Sequence, residues 1–460
     1  MIMKQKITHL LSFFLLVIST VTYAHNFKKN DKIVFIGNSI THAGSYHNVL
    51  RTFLATRYQK DITVLNKGIS GDVTDQVLAR LEVDILIEKP TVAFVMLGMN
   101  DVQRNTYTDT PTAWQLKQQQ DALARYKKQT EKLVNLLLDQ KIEVILFTPT
   151  IFDESPSIQK ANNKGVNAAL GKCRDHVKSM ASKYTLEVVD FYSIMSEVNT
   201  DQQAKAPDFT IVGADRIHPG ATGHFVMGYQ LVNTITKDNR EVANLTINAK
   251  KEKVTANLNC SIKNLTASNK SVAFQLEENS LPFPIKYFDQ KGVALVPFKE
   301  NLNQETLRIE GLKKGEYTLK IDNQEIGIFT NDAFANGIQL AELATPQLRQ
   351  AEKIGQLSKE IMRLQNKIRD LRMVDYTIFK IYDSKMTIEE RKALATKKLE
   401  EYNDMSISWH KYFTKLLKEY VKNIDNEGTM KTDIQNIRQL VFKVAKPIPH
   451  NYSIGKVMVQ

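Results

Sequence analysis

Four short stretches hold the residue types that acyl transfer needs. Ser39 stands in Gly37-Asn38-Ser39-Ile40-Thr41, directly after an apolar run, where a strand would give way to a helix with the hydroxyl exposed. A serine hydroxyl is a poor nucleophile until a base takes its proton, and neutral imidazole titrates near working pH. Asp215-Arg216-Ile217-His218-Pro219 offers such a base. Asp215 precedes His218 by three residues, close enough on a loop or helical turn to hold the ring in one tautomer. Gly68-Ile69-Ser70-Gly71-Asp72 and Gly98-Met99-Asn100-Asp101 follow two further apolar runs. Acyl transfer also needs donors aimed at the developing oxyanion, each worth about 3–4 kcal/mol of barrier. Backbone N–H groups at Ser39 and Gly71, with the Asn100 amide, would supply three. Gly71 suits the task because a residue without Cβ lets substrate approach the backbone.

Each block has a plainer reading when taken alone. Serines often cap helices, and asparagines often bond their own backbone in turns. Pro219-Gly220 can be a simple turn behind a surface histidine. Asp215 and His218 can also serve as metal ligands, although only scattered histidines (His42, His47, His224) are available to join them. Tyr46 and His47 fit a pocket wall and helix packing equally well. Thr41 separates the first block from the Gly-x-Ser-x-Gly elbow of α/β-hydrolases, which ends in glycine.

The elements that would carry these blocks alternate between strand and helix. Residues 32–36 (KIVFI), 62–65 (ITVL), 92–97 (VAFVML), 142–147 (IEVILF) and 186–191 (LEVVDF) are short apolar runs rich in β-branched residues. Such runs are buried on both faces, as in a parallel sheet. Helical stretches lie between them, for example 126–138, where Leu133, Leu136 and Leu137 share a face. The pattern predicts a doubly wound α/β sheet over 25–240, with its chemistry at the carboxyl ends of the strands. From 241 to 335 the alternation at 254–258 and 317–321, set among Asn-rich and Gly-containing turns, predicts a small antiparallel β-sandwich. From 336 to 460 the chain is expected to be α-helical. Ile354, Leu357, Ile361, Leu364, Ile368 and Leu371 form a heptad seam. A second helix starts at the capping-box pattern Thr387-Ile388-Glu389-Glu390 and carries Tyr402, Met405, Trp409, Tyr412, Leu416 and Tyr420. The two stripes predict an antiparallel hairpin or, alternatively, a dimeric coiled coil.

The four blocks, in this order and roughly this spacing, resemble the SGNH hydrolase superfamily, the GDSL-like lipases and acylhydrolases. The resemblance covers about residues 31–233. It implies a three-layer, flavodoxin-like α/β/α fold with a parallel sheet. It also implies Ser39 as nucleophile, His218 as base, Asp215 as its orienter, and the Gly71 N–H and the Asn100 side chain as oxyanion donors. The chain departs from the family in one respect: the usual Gly-Asp-Ser is Gly-Asn-Ser, with Asn38 replacing an acid outside the relay. Asparagine keeps most of that side chain's hydrogen-bonding shape. The expected activity is ester hydrolysis through an acyl-serine, with no metal or other cofactor. The favoured substrate is an acetylated polysaccharide or oligosaccharide. A lipid or aryl-ester hydrolase, with the aromatic C-terminal helices as an interfacial cap, is the rival within enzymes. A catalytically silent surface carbohydrate-binding or scaffold protein is the alternative of another class.

Composition bounds the remaining choices. The 460 residues exceed one small core, and the apolar content of 42% and charged content of 24% are ordinary for a globular protein. The net charge of +12 is interleaved with acids on the C-terminal helices, which predicts solvated faces and no nucleic-acid partner. Lys4 and Lys6, an apolar stretch over 10–17 broken only by Ser12, and Thr22-Tyr23-Ala24 read as a signal peptide cleaved after Ala24. The expected location is periplasmic or extracellular, without stable membrane insertion. Cys173 and Cys260 fall in different predicted domains; a disulfide is allowed in an oxidising compartment, but two buried free thiols fit at least as well.

Overall fold

The five apolar runs become five parallel strands in the computed structural model. It describes residues 25–457 apart from 157, 159, 237–239, 384 and 404–407; the proposed signal peptide lies outside them. The strands are β1 (Lys32–Gly37), β2 (Thr63–Gly68), β3 (Val92–Met96), β4 (Glu143–Phe147) and β5 (Glu187–Val189), in the order β2-β1-β3-β4-β5. Parallel neighbours need crossovers, and helices supply them. A short helix α1 (Ser39–Ala43) leads into α2 (Ser45–Arg57), and α3 (Thr74–Ala79) and α4 (Ala113–Asp139) follow. The unit ends with α5 (Val166–Tyr184), α6 (Phe191–Gln203) and α7 (Ala221–Ile235). Helix α7 packs on α2 and α6, while α4 packs on α3 and α5, giving a three-layer α/β/α unit.

Aromatic rings fill the sheet's interior. Phe35 of β1 stacks on His47 at 4.0 Å and meets Tyr46 edge-on at 5.5 Å, so both α2 residues belong to the core and not to a pocket wall. On α4, Leu133 and Leu137 are fully buried, but Leu136 turns outward and is 36% exposed. Ala122, Tyr126, Thr130 and Val134 complete that helix's inner face instead.

A β unit follows, with two sheets facing one core. One sheet contains β6 (Ala243–Asn248), β7 (Lys253–Leu258), β10 (Glu305–Glu310) and β13 (Ile338–Gln339). The other contains β8 (Cys260–Ala267), β9 (Ser271–Glu278), β11 (Glu316–Ile321), β12 (Gln324–Thr330) and β14 (His450–Lys456). Three features depart from the expectation of an antiparallel segment over 241–335. Strands β6 and β10 pair in parallel, because the chain leaves the sheet between them and returns. During that excursion Phe283, Val293, Phe298 and Leu302 join the core of the α/β/α unit. Strand β14 comes from the chain's end and inserts between β9 and β11, so residues 336–460 are not wholly helical. Cys173 and Cys260 lie in separate cores as free thiols.

Four helices stand where a hairpin is expected. The heptad seam lies on helix Pro346–Met373, which Thr345 caps by accepting from the Leu348 N–H at 3.1 Å. Its Ile354, Leu357, Ile361, Leu364 and Leu371 pack with Met430, Ile434 and Val441 of helix Glu427–Val444, closing the seam within the chain. The aromatic stripe is divided between helices Ile388–Asn403 and Ser408–Asn423, which pack on each other. The capping box at Thr387 and Glu390 forms with bonds of 2.7 and 3.2 Å. Tyr420 is buried and Tyr412 is 49% exposed. Met405 and the side chain of Trp409 lie outside the described residues. Among the described residues no helix is long and apolar enough to cross a membrane.

Candidate active site

Strand order reverses at β1, which pairs in parallel with β2 on one side and β3 on the other, so a crevice opens beyond the carboxyl ends of β1 and β3. Ser39 sits there because β1 ends at Gly37 and a helix begins at once. Asn38 caps that helix, its Oδ1 accepting from the Ile40 N–H at 3.3 Å. The first helical residue has no intrahelical acceptor for its own N–H, so Ser39 presents both a hydroxyl and an amide to the crevice. Gly37 must be glycine: a Cβ there would lie 2.2 Å from Thr41 Oγ1 and 2.8 Å from the Met96 carbonyl. The departure at Asn38 therefore costs no local geometry, since a buried amide performs the cap.

The relay is assembled. Ser39 Oγ lies 2.7 Å from His218 Nε2, and His218 Nδ1 lies 2.5 Å from Asp215 Oδ2. The other Asp215 oxygen accepts from the Ile217 and His218 amides, both at 3.0 Å. Partial burial raises the Asp215 carboxyl, but these donors outweigh it and hold its pKa below the ordinary value. An ionised Asp215 accepts a hydrogen bond from the Nδ1–H, leaving Nε2 to accept from serine. The loop is closed by the Gly213 N–H donating to the His218 carbonyl at 2.7 Å. Buried Arg216 ties it to the 153–160 loop, donating to the Asp153 carbonyl at 2.9 Å.

The two remaining blocks follow β2 and β3, the strands on either side of β1. Gly71 has φ +90°, the left-handed region that favours glycine, and a Cβ there would point into open space. Asn100 donates from Nδ2 to the Asp72 carbonyl at 2.9 Å, which leaves its second amide proton for a ligand. Asp101 joins the blocks: its Oδ1 accepts from the Thr74 N–H at 2.8 Å, and its Oδ2 from the Gly98 N–H at 3.0 Å. A cleft of about 500 Å³ opens beside these donors, lined by Gly71, Val73, Asn100, Gln103, Arg104, Asn105 and Thr106. Of these only Val73 carries an apolar side chain.

Several residues that shape the site carry no signature of their own. Arg104 donates to Asn100 Oδ1 at 2.8 Å and also to the Met99 carbonyl, which fixes the orientation of the amide. Burial lowers the Arg104 pKa, and the Asp215 carboxylate opposes that shift. The only available hint was a cation four residues after the candidate donor. His42 and Ser70 are in contact, the histidine accepting at Nδ1 from the Ser70 N–H at 3.2 Å. Of the other histidines considered as ligands, His47 and His224 are buried rings against Phe35 and Tyr46. Burial first, then the nearby His218, lowers His224 to about 4.

An acetylxylan esterase of Geobacillus stearothermophilus is 26% identical over 221 residues, which span 45% of this chain and 94% of that one. The crystal structure of an acetylxylan esterase from that organism covers 46% of this chain and 96% of its own, at 25% identity and a TM-score of 0.37. A gut microbial diltiazem-metabolizing enzyme superposes with a TM-score of 0.82 at 27% identity, covering 95% of this chain and 99% of its own. All three parts of the present chain therefore recur together in that structure. Residues 35–225 match the family model described as GDSL-like lipase/acylhydrolase. Residues 35–225 therefore form a GDSL-like lipase/acylhydrolase (SGNH) domain.

Proposed function

We propose that this protein is an exported serine esterase that removes acetyl groups from a polysaccharide or its oligosaccharides. The observation that carries the reading is the hydrogen-bonded chain Asp215–His218–Ser39, with the Gly71 and Asn100 blocks after the two neighbouring strands. His218 takes the proton as Ser39 Oγ attacks the ester carbonyl. The oxyanion is held by the Ser39 and Gly71 amides and the Asn100 side chain. The C–O bond breaks, His218 returns the proton to the leaving sugar oxygen, and an acetyl-serine remains. Water activated by His218 then releases acetate and restores the serine.

The polar cleft supports a short acyl group. A long-chain lipid groove would need apolar side chains gaining about 0.8 kcal/mol per buried CH₂, and the residues lining this cleft do not offer them. The acetylxylan esterase relative supports a carbohydrate ester, and the pattern of residues 1–24 supports export. The likeness that covers 95% of the chain favours a second reading, turnover of a small drug-like molecule such as diltiazem. Aromatic residues of the C-terminal helices suit it, since Phe413 packs with Tyr376 beside Ile69 of the second block. Acetate release from acetylated xylo-oligosaccharides should be compared with that from diltiazem, which carries an acetate ester on an aromatic framework. The proposal expects the higher kcat/KM on the saccharide; the reverse order would favour the second reading. In a p-nitrophenyl ester series, efficiency should fall as the acyl chain lengthens beyond a few carbons. Absence of turnover on every ester would instead favour a surface binding protein.

A further inference from the structure

The 68–72 loop presents the Gly71 amide, yet Gly71 has no side chain with which to anchor itself. Its neighbours are anchored from outside the family domain, by two consecutive residues of helix Pro346–Met373. Arg369 donates from Nε to the Gly68 carbonyl at 3.1 Å and grips Asp84 with both terminal nitrogens, each at 2.7 Å. Asp84 in turn accepts from Arg80 at 2.6 Å, and Arg80 donates to Asp72 Oδ2 at 2.8 Å. The Asp72 carbonyl is the acceptor that holds the Asn100 amide. At the loop's other edge, His42 Nε2 lies 3.2 Å from Asp370 Oδ1. A carboxylate there keeps the proton on Nε2, so that Nδ1 accepts from the Ser70 N–H at 3.2 Å and lies 3.0 Å from Ser70 Oγ. His42 is itself three residues after Ser39. Between these two anchors Ile69 packs on Met373 and Tyr376, which follow on the same stretch of chain.

Resting on the esterase reading above, we propose that Arg369 and Asp370 of helix Pro346–Met373 are positioning residues that preorganise the oxyanion donors. Donors lower a barrier only if they already point at the oxyanion and do not have to reorganise. Helix and loop are joined on both sides by bonds to backbone groups, so a displaced helix would carry the Gly71 amide with it. The acetylxylan esterase relative is matched by 45% of this chain, which makes the clamp a feature added to the shared domain.

Arg369 and Asp84 are a buried ion pair, and removing one partner would strand the other charge and endanger the fold. Asp370 has a half-exposed side chain and is the better probe. The experiment compares Asp370→Ala, Asp370→Asn and Glu360→Ala with the unsubstituted full chain on p-nitrophenyl acetate. A trifluoromethyl ketone, whose adduct with Ser39 places an oxygen anion before the same donors, is the second probe. Asp370→Ala should lower kcat by about 10-fold with little change in KM or Tm, and weaken the ketone by a similar factor. Asp370→Asn, which still offers an acceptor to His42, should retain most of the activity. Glu360→Ala, which breaks only an exposed pair with Arg363 on the same helix, should change nothing. Wild-type kcat and ketone affinity in Asp370→Ala would overturn the inference, as would a loss explained by a fall in Tm. Ser39→Ala run alongside separates the two claims. If it is inactive while Asp370→Ala is fully active, only the clamp is refuted; if it retains turnover, the esterase reading falls first.

Discussion

At the scale of single residues, the account turns on where hydrogen bonds leave a donor or acceptor free. Asn100 spends its Oδ1 on Arg104 and one amide proton on Asp72, so it has a single donor to give. Asn100→Ala should lower kcat by roughly 10²–10³ with little change in KM, measured by steady-state kinetics on an acetyl ester. A mainly KM effect would make it a ground-state binding residue. Arg104→Ala should reproduce part of that loss, because the amide is then free to rotate. Asp215→Asn should reduce kcat by about 10⁴ while leaving the fold intact, since an amide no longer selects the productive histidine tautomer. The blocks that hold Ser39, Gly71, Asn100, Asp215 and His218 stand out in the sequence because each is short and its local backbone determines its geometry, and the structure joins Ser39, His218 and Asp215 by hydrogen bonds. Arg104 was not, because it acts only through Asn100. His42 and Asp370 lie 328 positions apart, and only the tertiary fold brings them together.

At the scale of elements, burial on both faces made the five catalytic strands readable to within a few residues. The exceptions have physical causes. The last strand, β14, reads HNYSIGK, with only His450, Tyr452 and Ile454 buried, and so carries half the apolar signal of a central sheet strand. Its partners lie far back in the chain, which no local pattern reveals. Leu136 was misleading because three leucines spaced by three and one suggest a shared face, whereas the inner face of α4 is completed by a threonine and a tyrosine. Since β14 pairs with both β9 and β11, its removal would leave two unpaired edges and open the core of the β unit. Truncation after residue 449 should therefore give a protein that aggregates or is rapidly proteolysed. A well-folded product with unchanged near-UV circular dichroism would contradict that placement. Truncation before residue 346 should be at least as damaging, because it removes β14 together with the helix that packs on α2 and β2.

At the scale of the whole molecule, the three parts meet around a buried pair of acids. Glu278 ends β9 and Glu305 begins β10, and the two share a hydrogen bond. Gln347 of helix Pro346–Met373 donates to Glu305 at 2.9 Å and to the Tyr452 hydroxyl of β14 at 2.6 Å. Arg57 of α2 contributes the nearby positive charge. Burial, reinforced by the Glu305 charge, drives Glu278 well above the ordinary carboxyl range. Burial also pushes Glu305 up to about 7, against the opposing effects of Gln347, Glu278 and Arg57. The folded chain thus keeps protons that the unfolded chain releases at lower pH. Stability from this pair is complete below the ordinary carboxyl pKa and is lost as pH rises through about 7. Melting curves should show Tm falling between about pH 5 and pH 8, and Glu278→Gln should flatten that slope. An equally steep slope in the variant would assign the effect to other groups. None of this junction was legible from the sequence, because a lone Glu at a strand end has the same local pattern whether it is exposed or buried.

The central claim is that ester hydrolysis runs through Ser39. The most direct measurement is acetate release from an acetyl ester by the full chain and by Ser39→Ala, with circular dichroism to establish that the variant is folded. Release at the wild-type level reduced to background in the variant is the predicted result. A folded Ser39→Ala protein that keeps more than a small fraction of wild-type turnover would contradict it.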